Sequence, residues 1–162
     1  MTTIVVVRKG KHVALAADSL TTFGSTRLAP AYDRNPHKVI SFGDSFIGVA
    51  GSAAHQLVLE NLLTKHPDLG LHGKDAIYES FRRLHPLLKD EAFLNTKEEE
   101  DDPYESSQMT VMIANPTGIF AVYSMREVFE FDRFWAIGSG RDFALGAMYA
   151  SYARAKNVEA VA

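Results

Sequence analysis

The chain has 162 residues and a net charge of −3, and 46% of its residues are apolar. This length and composition are typical of a single globular domain, residues 1–162, that buries a hydrophobic core without covalent cross-links. The basic residues lie in small groups without interleaved aromatic residues, which argues against a nucleic-acid partner, and the absence of cysteine excludes a disulfide framework.

The N-terminal segment is expected to carry no targeting signal. It lacks the basic stretch and the long apolar run that a signal peptide requires. No apolar run in the chain approaches the length that spans a bilayer. We therefore expect a cytoplasmic protein without a membrane partner.

Two β-hairpins are predicted in the first third of the chain. Residues 3–7 are all β-branched, and residues 12–17 form a second apolar run after a turn that contains Gly10. Residues 39–42 and 46–50 form another such pair, separated by residues 43–45. Each pair is typical of two antiparallel strands joined by a short turn.

Two helices are predicted next. Apolar residues recur at helical spacing from residue 54 to residue 63, with Ser52 as the N-cap and Pro67 marking the end. A second helical pattern runs from residue 77 to residue 88 and contains Pro86. Because proline donates no backbone hydrogen bond and its ring clashes with the preceding turn, we expect this helix to kink or end near His85.

The remainder of the chain returns to strands. Residues 97–107 are polar and acidic and predict an exposed loop. Residues 109–114, 119–124, 127–131 and 134–137 predict strands. Residues 138–140 then lead into a helix with Phe143, Ala144, Ala147 and Ala150 along one side. Segregated runs of strands and helices predict an α+β fold. Two antiparallel sheets stacked face to face and covered by helices would fit this order, although periodicity alone does not establish the layers.

Thr2 is a candidate nucleophile. A threonine hydroxyl attacks a carbonyl only when a base takes its proton. If Met1 is removed, the α-amine of Thr2 lies beside its own hydroxyl, and an α-amine has a pKa of about 7.7–8.0. One residue would then supply both nucleophile and base. Many chains begin with Met-Thr, so this signal alone has little specificity.

Asp18 and Lys38 are candidates for supporting such a nucleophile. A lysine close to Thr2 would favour the deprotonated hydroxyl, and an aspartate would hold that lysine in place. Considered singly, an aspartate at a strand end more often satisfies turn amides, and a lysine beside a strand more often lies exposed.

Two glycine-containing junctions between a strand and a helix are further candidates. At Gly51 a substrate could approach the backbone closely, and an N–H near a helix N-terminus can stabilise an oxyanion. Ser139, between Gly138 and Gly140, could hydrogen-bond the Thr2 amine. The alternatives are a tight turn at Gly51 and a simple N-cap at Ser139. The six histidines show no paired metal-ligand spacing, so no metal site is predicted.

Taken together and in order, these segments resemble a known family. The segments are residues 2–8 (TTIVVVR), 16–19 (AADS), Gly24, 38–40 (KVI), 48–54 (GVAGSAA) and 136–140 (AIGSG). They are similar to the proteasome β-type subunits, and within these to the bacterial HslV-like threonine peptidases, including the betaproteobacterial proteasome homologue.

The resemblance implies a fold and a set of site residues. The fold is the N-terminal-nucleophile hydrolase sandwich, with four layers in the order αββα. The nucleophile falls on Thr2 and the amine-contacting serine on Ser139, while Asp18 orients the catalytic Lys38. The remaining implied residues are Gly51 for the oxyanion, Thr22 and Gly51 for the substrate backbone, and Thr21, Val49 and Ala53 for the specificity pocket.

The resemblance also implies an activity and partners. The activity is endopeptidase cleavage of unfolded polypeptides, with an apolar side chain before the cut and no metal or organic cofactor. The particle would consist of stacked rings of twelve or fourteen subunits, with fourteen favoured, and an ATPase unfoldase is left open as a partner. The first alternative is a non-catalytic ring subunit that keeps the fold. The second is a small-molecule amidohydrolase of the same fold.

Three departures from HslV-like chains accompany the resemblance. The segment between Gly24 and Lys38 is longer, and Ser52 stands where a second glycine is usual. Residues 157–161 are expected to open a further helix, and the chain stops at Ala162. The C-terminal part of the family fold is therefore expected to be missing.

Overall fold

The computed structural model describes residues 2–97 and 99–162. The strands are β1 (Thr3–Lys9), β2 (His12–Ala17), β3 (Thr21–Phe23), β4 (Thr26–Leu28), β5 (Val39–Phe42), β6 (Ser45–Ala50), β7 (Thr110–Asn115), β8 (Gly118–Val122), β9 (Val128–Phe131) and β10 (Phe134–Gly138). The helices are α1 (Ala53–Lys65), α2 (Lys74–Asp90) and α3 (Arg141–Ser151), with a 3₁₀ turn at Pro30–Tyr32.

The strands form two antiparallel sheets and a separate hairpin. The first sheet has the order β10-β1-β2, and the second has the order β5-β6-β7-β8-β9. β3 and β4 pair only with each other. The two predicted hairpins, β1-β2 and β5-β6, are confirmed.

The core consists of three apolar layers, because successive side chains along a strand point to opposite faces of its sheet. On β1, Ile4 and Val6 face the other sheet, whereas Val5 and Val7 pack with Met148 of α3. On β7, Met112 lies between the sheets, and Ile113 packs in the cluster that α1 and α2 form with the second sheet. Because both faces of these strands are buried, their sequences are continuously apolar. The predicted αββα sandwich is confirmed.

Helix α1 begins as the sequence predicts, whereas α2 is longer than its predicted pattern at both ends. Ser52 is the N-cap of α1, and its hydroxyl accepts a hydrogen bond from the Ala54 amide. α2 begins at Lys74 and continues through Pro86 to Asp90, so of the two predicted outcomes, a kink or an end near His85, the end is contradicted. Leu84 and Leu88, on either side of the proline, are both buried. Their burial offsets the hydrogen bond that proline removes. Within the described part of the chain, no helix is long and apolar enough to cross a membrane.

Three other segments differ from the sequence-based expectations. The β3-β4 hairpin was not predicted, because strands of three residues are too short to show a period. The α3 side with Phe143 and Ala147 is exposed, and Leu145 and Met148 pack towards the first sheet instead. Residues 157–161 form turns instead of a helix, and Val158 within them is buried.

The acidic loop is exposed over most of its described length. The predicted range 97–107 includes Glu98, which lies outside the described residues. The loop differs from the prediction at its end, where Ser106 and Ser107 are buried. Their backbone amides donate to the carbonyl oxygens of Thr96 and Ser124, at 2.9 and 2.7 Å. These bonds attach the end of the loop to the residue that precedes it and to the segment that follows β8.

Gly48 allows the two sheets to approach each other. A Cβ atom at this position would lie 2.7 Å from Cγ2 of Ile4, which is fully buried on the facing strand β1. We expect Gly48→Ala to lower the free energy of unfolding by about 1–3 kcal/mol, because a filled core accommodates an added methyl group only by strain. Urea denaturation at fixed protein concentration measures this change.

The matched control for that substitution is Gly70→Ala. A Cβ atom there would lie 3.6 Å from the Ala76 side chain, which is an ordinary van der Waals distance. We expect its denaturation midpoint to stay close to that of the unsubstituted protein. Equal midpoints for the two variants would contradict the close approach of β6 to β1.

Candidate active site

The pairing of β1 with β2 brings Thr2 and Asp18 to one end of the first sheet. Ile4 is paired with Ala17, so the residues just beyond these two are neighbours. The Asp18 amide donates to the Thr3 carbonyl oxygen at 3.1 Å, and the Thr3 amide donates to Asp18 Oδ1 at 2.6 Å. The Asp18 carboxylate thus holds Thr3, the first residue of β1, in place.

Lys38 enters this corner from the second sheet, just before β5. Its Nζ donates to Asp18 Oδ2 at 2.9 Å and to the Leu20 carbonyl oxygen at 2.7 Å, and it lies 3.5 Å from Thr2 Oγ1. Only 11% of the Lys38 side chain is exposed. The ammonium group is therefore held in one position, with its charge directed at the Thr2 hydroxyl.

The pKa of Asp18 lies below its usual value. Burial alone would raise this pKa, but four favourable interactions outweigh it. These are the hydrogen bond and positive charge of Lys38, and the hydrogen bonds from the Thr3 and Leu20 amides. Asp18 is therefore a carboxylate throughout the neutral range, and the ion pair with Lys38 persists there.

The loop between β10 and α3 closes over Thr2 from the other side. The Thr2 backbone nitrogen donates to Ser139 Oγ at 3.3 Å, and Ser139 Oγ donates to the Thr2 carbonyl oxygen at 3.4 Å. Gly138 has φ of 90°, and a Cβ atom there would collide with the Thr2 carbonyl group. The N-cap of α3 is Gly140, without a side-chain cap. Ser139 therefore contacts Thr2 instead of capping the helix.

An open cleft of about 410 Å³ runs past Thr2. The predicted site residues that line it are Thr2, Thr21, Thr22, Lys38, Val49, Gly51 and Ala53. Asp18 and Ser139 do not line the cleft and contact Thr3 and Thr2, respectively, from behind. The structure thus brings all the predicted residues to one place, although the sequence separates Thr2 from Ser139 by 137 positions.

Gly51 has a positive φ that residues with a side chain rarely adopt. It follows β6, precedes the N-cap of α1 and has φ of 152°. A Cβ atom here would lie 2.7 Å from His55 Nδ1 and 3.1 Å from the Gln108 carbonyl oxygen. Any side chain would be strained and would clash, so only glycine fits where the cleft meets the helix.

Some residues of the site had no signal in the sequence. The Leu20 carbonyl oxygen accepts from Lys38, and Gln56 Nε2 donates to the His37 carbonyl oxygen at 2.8 Å, which ties α1 to the residue before Lys38. A backbone carbonyl and an exposed helix glutamine follow no sequence pattern. Asp33 and Glu60 also line the cleft.

The long segment between Gly24 and Lys38 does not displace the lysine. It forms β4 and the 3₁₀ turn, and it supplies one wall of the cleft through Leu28, Asp33 and Pro36. The extra length is thus accommodated at the rim of the site. Among residues 2–97 and 99–162, no group of three or more histidine, cysteine or acidic side chains is arranged to hold a metal ion.

The layers and the strand-end site define a class of protein. Two antiparallel sheets between helices, with the first residues of β1 at the cleft, form the N-terminal-nucleophile hydrolase fold of the structural neighbours. The family model described as proteasome subunit matches residues 1–162. The chain therefore belongs to the proteasome subunit family.

Individual relatives agree with this assignment. The ATP-dependent protease subunit HslV of Caldicellulosiruptor saccharolyticus is 29% identical over 147 residues, which are 90% of this chain and 76% of the relative. The HslV subunit of Bartonella quintana is 28% identical over 154 residues, covering 92% and 70% of the two chains.

Solved structures give the same result. Thiobacillus denitrificans BPH, in complex with epoxomicin, is 40% identical, with a TM-score of 0.90 over 99% of this chain and 85% of that one. HslV from Trypanosoma brucei has a TM-score of 0.70 at 22% identity, over 98% and 84% of the two chains, and supports the fold alone.

The lowered pKa of Asp18 predicts a pH-dependent contribution to stability. The folded state binds a proton on Asp18 less readily than the unfolded state, so the contribution is complete above the usual aspartate pKa and is lost as the pH falls through the folded value. We expect Asp18→Asn to cost about 1–3 kcal/mol at pH 7, because Lys38 loses its charged partner. The difference from the unsubstituted protein should shrink towards pH 3.

Thermal denaturation at several pH values measures that difference. The control is Asp132→Asn, an exposed aspartate in the turn between β9 and β10. This variant should melt like the unsubstituted protein at every pH. A cost of Asp18→Asn that is the same at pH 3 and pH 7 would argue against the ion pair as its cause.

Proposed function

We propose that this chain is a threonine-type endopeptidase subunit of a proteasome-like particle, which cleaves unfolded polypeptides with Thr2 as the nucleophile after Met1 is removed. The observation that carries the proposal is the contact of 3.5 Å between Lys38 Nζ and Thr2 Oγ1 at the wall of an open cleft. A buried, paired ammonium group beside a hydroxyl favours the charge that forms when the hydroxyl loses its proton.

The proposed reaction begins with the free α-amine of Thr2. The amine takes the hydroxyl proton, directly or through a water molecule, and Oγ1 attacks the peptide carbonyl carbon. The C–N bond breaks, the leaving amine takes the proton, and an ester joins the acyl group to Thr2. Water then hydrolyses the ester and frees the hydroxyl. The hydrogen bond between the Thr2 nitrogen and Ser139 Oγ supports a role for Ser139 in orienting the amine.

The cleft supports roles for the remaining residues. The Gly51 N–H is proposed to stabilise the oxyanion, and the backbone of Thr22 and Gly51 is proposed to pair with the extended substrate. Thr21, Val49 and Ala53 would form the specificity pocket, and their small side chains favour an apolar residue before the cut. All of them line the cleft that contains Thr2.

The family also suggests how the subunit works with others. We propose stacked rings of twelve or fourteen subunits, with fourteen favoured, which enclose the cleft and admit only unfolded chains. Relatives described as ATP-dependent protease subunits support a partner ATPase that unfolds the substrate. A ring subunit without catalytic activity is the alternative that the experiments below can distinguish.

The first test is the intact mass of the purified protein with and without epoxomicin. An epoxyketone reacts with both the hydroxyl and the free amine of an N-terminal threonine, and this compound is bound in the structure of Thiobacillus denitrificans BPH. We expect a chain without methionine that gains one equivalent of the compound, and a Thr2→Ala variant that gains none.

Two results of that test would oppose a catalytic subunit. One is a chain that keeps Met1, because the amine of Thr2 would then be an amide and could not act as the base. The other is a processed chain that gains no epoxomicin. Either result would favour the non-catalytic ring subunit.

The second test concerns the charge of Lys38. We expect Lys38→Met to lower kcat for an apolar fluorogenic peptide by about 10²–10³-fold, the usual effect of removing one preorganised electrostatic group. Methionine keeps an unbranched stem in the cleft wall and removes only the ammonium group. The matched control is Lys11→Met in the exposed turn between β1 and β2, which should keep its full kcat.

A further inference from the structure

His55, in the first turn of α1, holds the turn that contains Gly51. The Ser52 backbone amide donates to His55 Nδ1 at 3.1 Å, and the Ser52 hydroxyl accepts from the Ala54 amide at 3.4 Å. Together these two bonds form a capping box at the start of the helix. One of the two hydrogen bonds at the helix start therefore depends on the His55 imidazole, which can gain a proton.

The hydrogen bond exists only when the ring is neutral. Nδ1 accepts a proton from Ser52, so Nδ1 must itself be unprotonated and the single ring proton must lie on Nε2. A protonated imidazolium has an N–H at both positions and would direct one of them at the Ser52 N–H. Protonation therefore replaces an attraction by a repulsion between two donors.

Gly51 needs such an external hold. Glycine has no side chain to restrict its backbone torsion angles, so the direction of its N–H must be fixed by neighbouring groups. A Cβ atom on Gly51 would meet the His55 ring on one side and the Gln108 carbonyl oxygen on the other. Gln108 is itself anchored, because its amide donates to Ser106 Oγ at 2.9 Å and its side chain donates to the Asn95 carbonyl oxygen.

We propose that neutral His55 is a positioning residue, which holds the Gly51–Ser52 peptide and thereby restricts the backbone torsion angles of Gly51 that set the direction of its N–H, and that protonation of the ring releases this peptide. The inference rests on the proposed function, since it assigns His55 to the glycine that stabilises the oxyanion there. His55 touches no reacting atom and acts through Gly51.

The surroundings of His55 favour the neutral ring. Burial lowers its pKa below the ordinary value of 6.5, and no charged side chain among the described residues contributes to this shift. The Ser52 amide contacts the ring and the Gly51 backbone lies beside it, and neither group carries a charge. Because the pKa lies below 6.5, the neutral ring predominates at pH 7.

The experiment compares the pH dependence of kcat/KM in the unsubstituted protein and in His55→Asn. Asparagine can accept the Ser52 hydrogen bond through its side-chain oxygen and does not titrate. Below the ordinary histidine pKa, the unsubstituted enzyme should lose up to about five- to tenfold more kcat/KM than His55→Asn, because protonated His55 no longer accepts the Ser52 hydrogen bond. His55→Asn should lose only the activity that protonation of the Thr2 amine removes.

Two further measurements separate positioning from mere structure. His55→Ala, which removes the acceptor, should lose about five- to tenfold in kcat near pH 7.5 with little change in KM, as expected for the loss of one hydrogen bond. His55→Asn should restore most of that loss. If His55→Ala does not fold, the pH profile of His55→Asn still tests the inference.

Thermal denaturation supplies a readout that does not depend on catalysis. The folded state disfavours protonated His55, so this contribution to stability is complete above pH 6.5 and is lost as the pH falls below it. Between pH 7.5 and pH 5 the melting temperature of the unsubstituted protein should fall further than that of His55→Asn.

The possible results lead to different conclusions. A larger acid loss of kcat/KM in the unsubstituted protein than in His55→Asn, together with the different melting shifts, supports the inference. Equal acid losses in two active proteins overturn it, even if the melting shifts differ, because His55 would then support only the helix. If no variant is active but the melting shifts differ, the proposed peptidase function fails while the hold of His55 on the Gly51–Ser52 turn stands.

Discussion

The ion pair between Lys38 and Asp18 joins the two sheets at the end where the cleft opens. Asp18 follows β2 in the first sheet, and Lys38 precedes β5 in the second. The same carboxylate accepts hydrogen bonds from the Thr3 and Leu20 amides. Because the lysine is almost buried, moving either sheet end would leave a charge without its partner, at a cost of several kcal/mol. The pair thus fixes where β1 begins, and so where Thr2 lies.

Glycines set the distances around that pair. Gly48 lets β6 approach Ile4 of the facing sheet, and Gly138 lets the loop before α3 reach the Thr2 carbonyl group. Gly51 fits between a histidine ring and a backbone carbonyl. At each of these positions a Cβ atom would clash with a neighbouring group, and at Gly51 and Gly138 the positive φ would also strain any other residue.

Two interactions with different sensitivity to acid hold the two sides of the cleft. On the Lys38 side, the pKa of Asp18 lies below its usual value, so the carboxylate is charged and the ion pair is intact at neutral pH. On the Gly51 side, the hydrogen bond between Ser52 and His55 requires a neutral ring. The first interaction thus needs a deprotonated carboxylate and the second an unprotonated imidazole.

The sequence by itself determined the longer strands and the three helices and their order, because strand alternation, helical spacing and the Ser52 cap are local properties that neighbouring residues specify. The order of short segments also sufficed to indicate the family. Only the tertiary structure decided that α2 continues through Pro86, which side of α3 is buried, and that Ser139 contacts Thr2 instead of capping a helix. These outcomes depend on contacts between distant residues, and a local pattern contains no information about its partner across the fold.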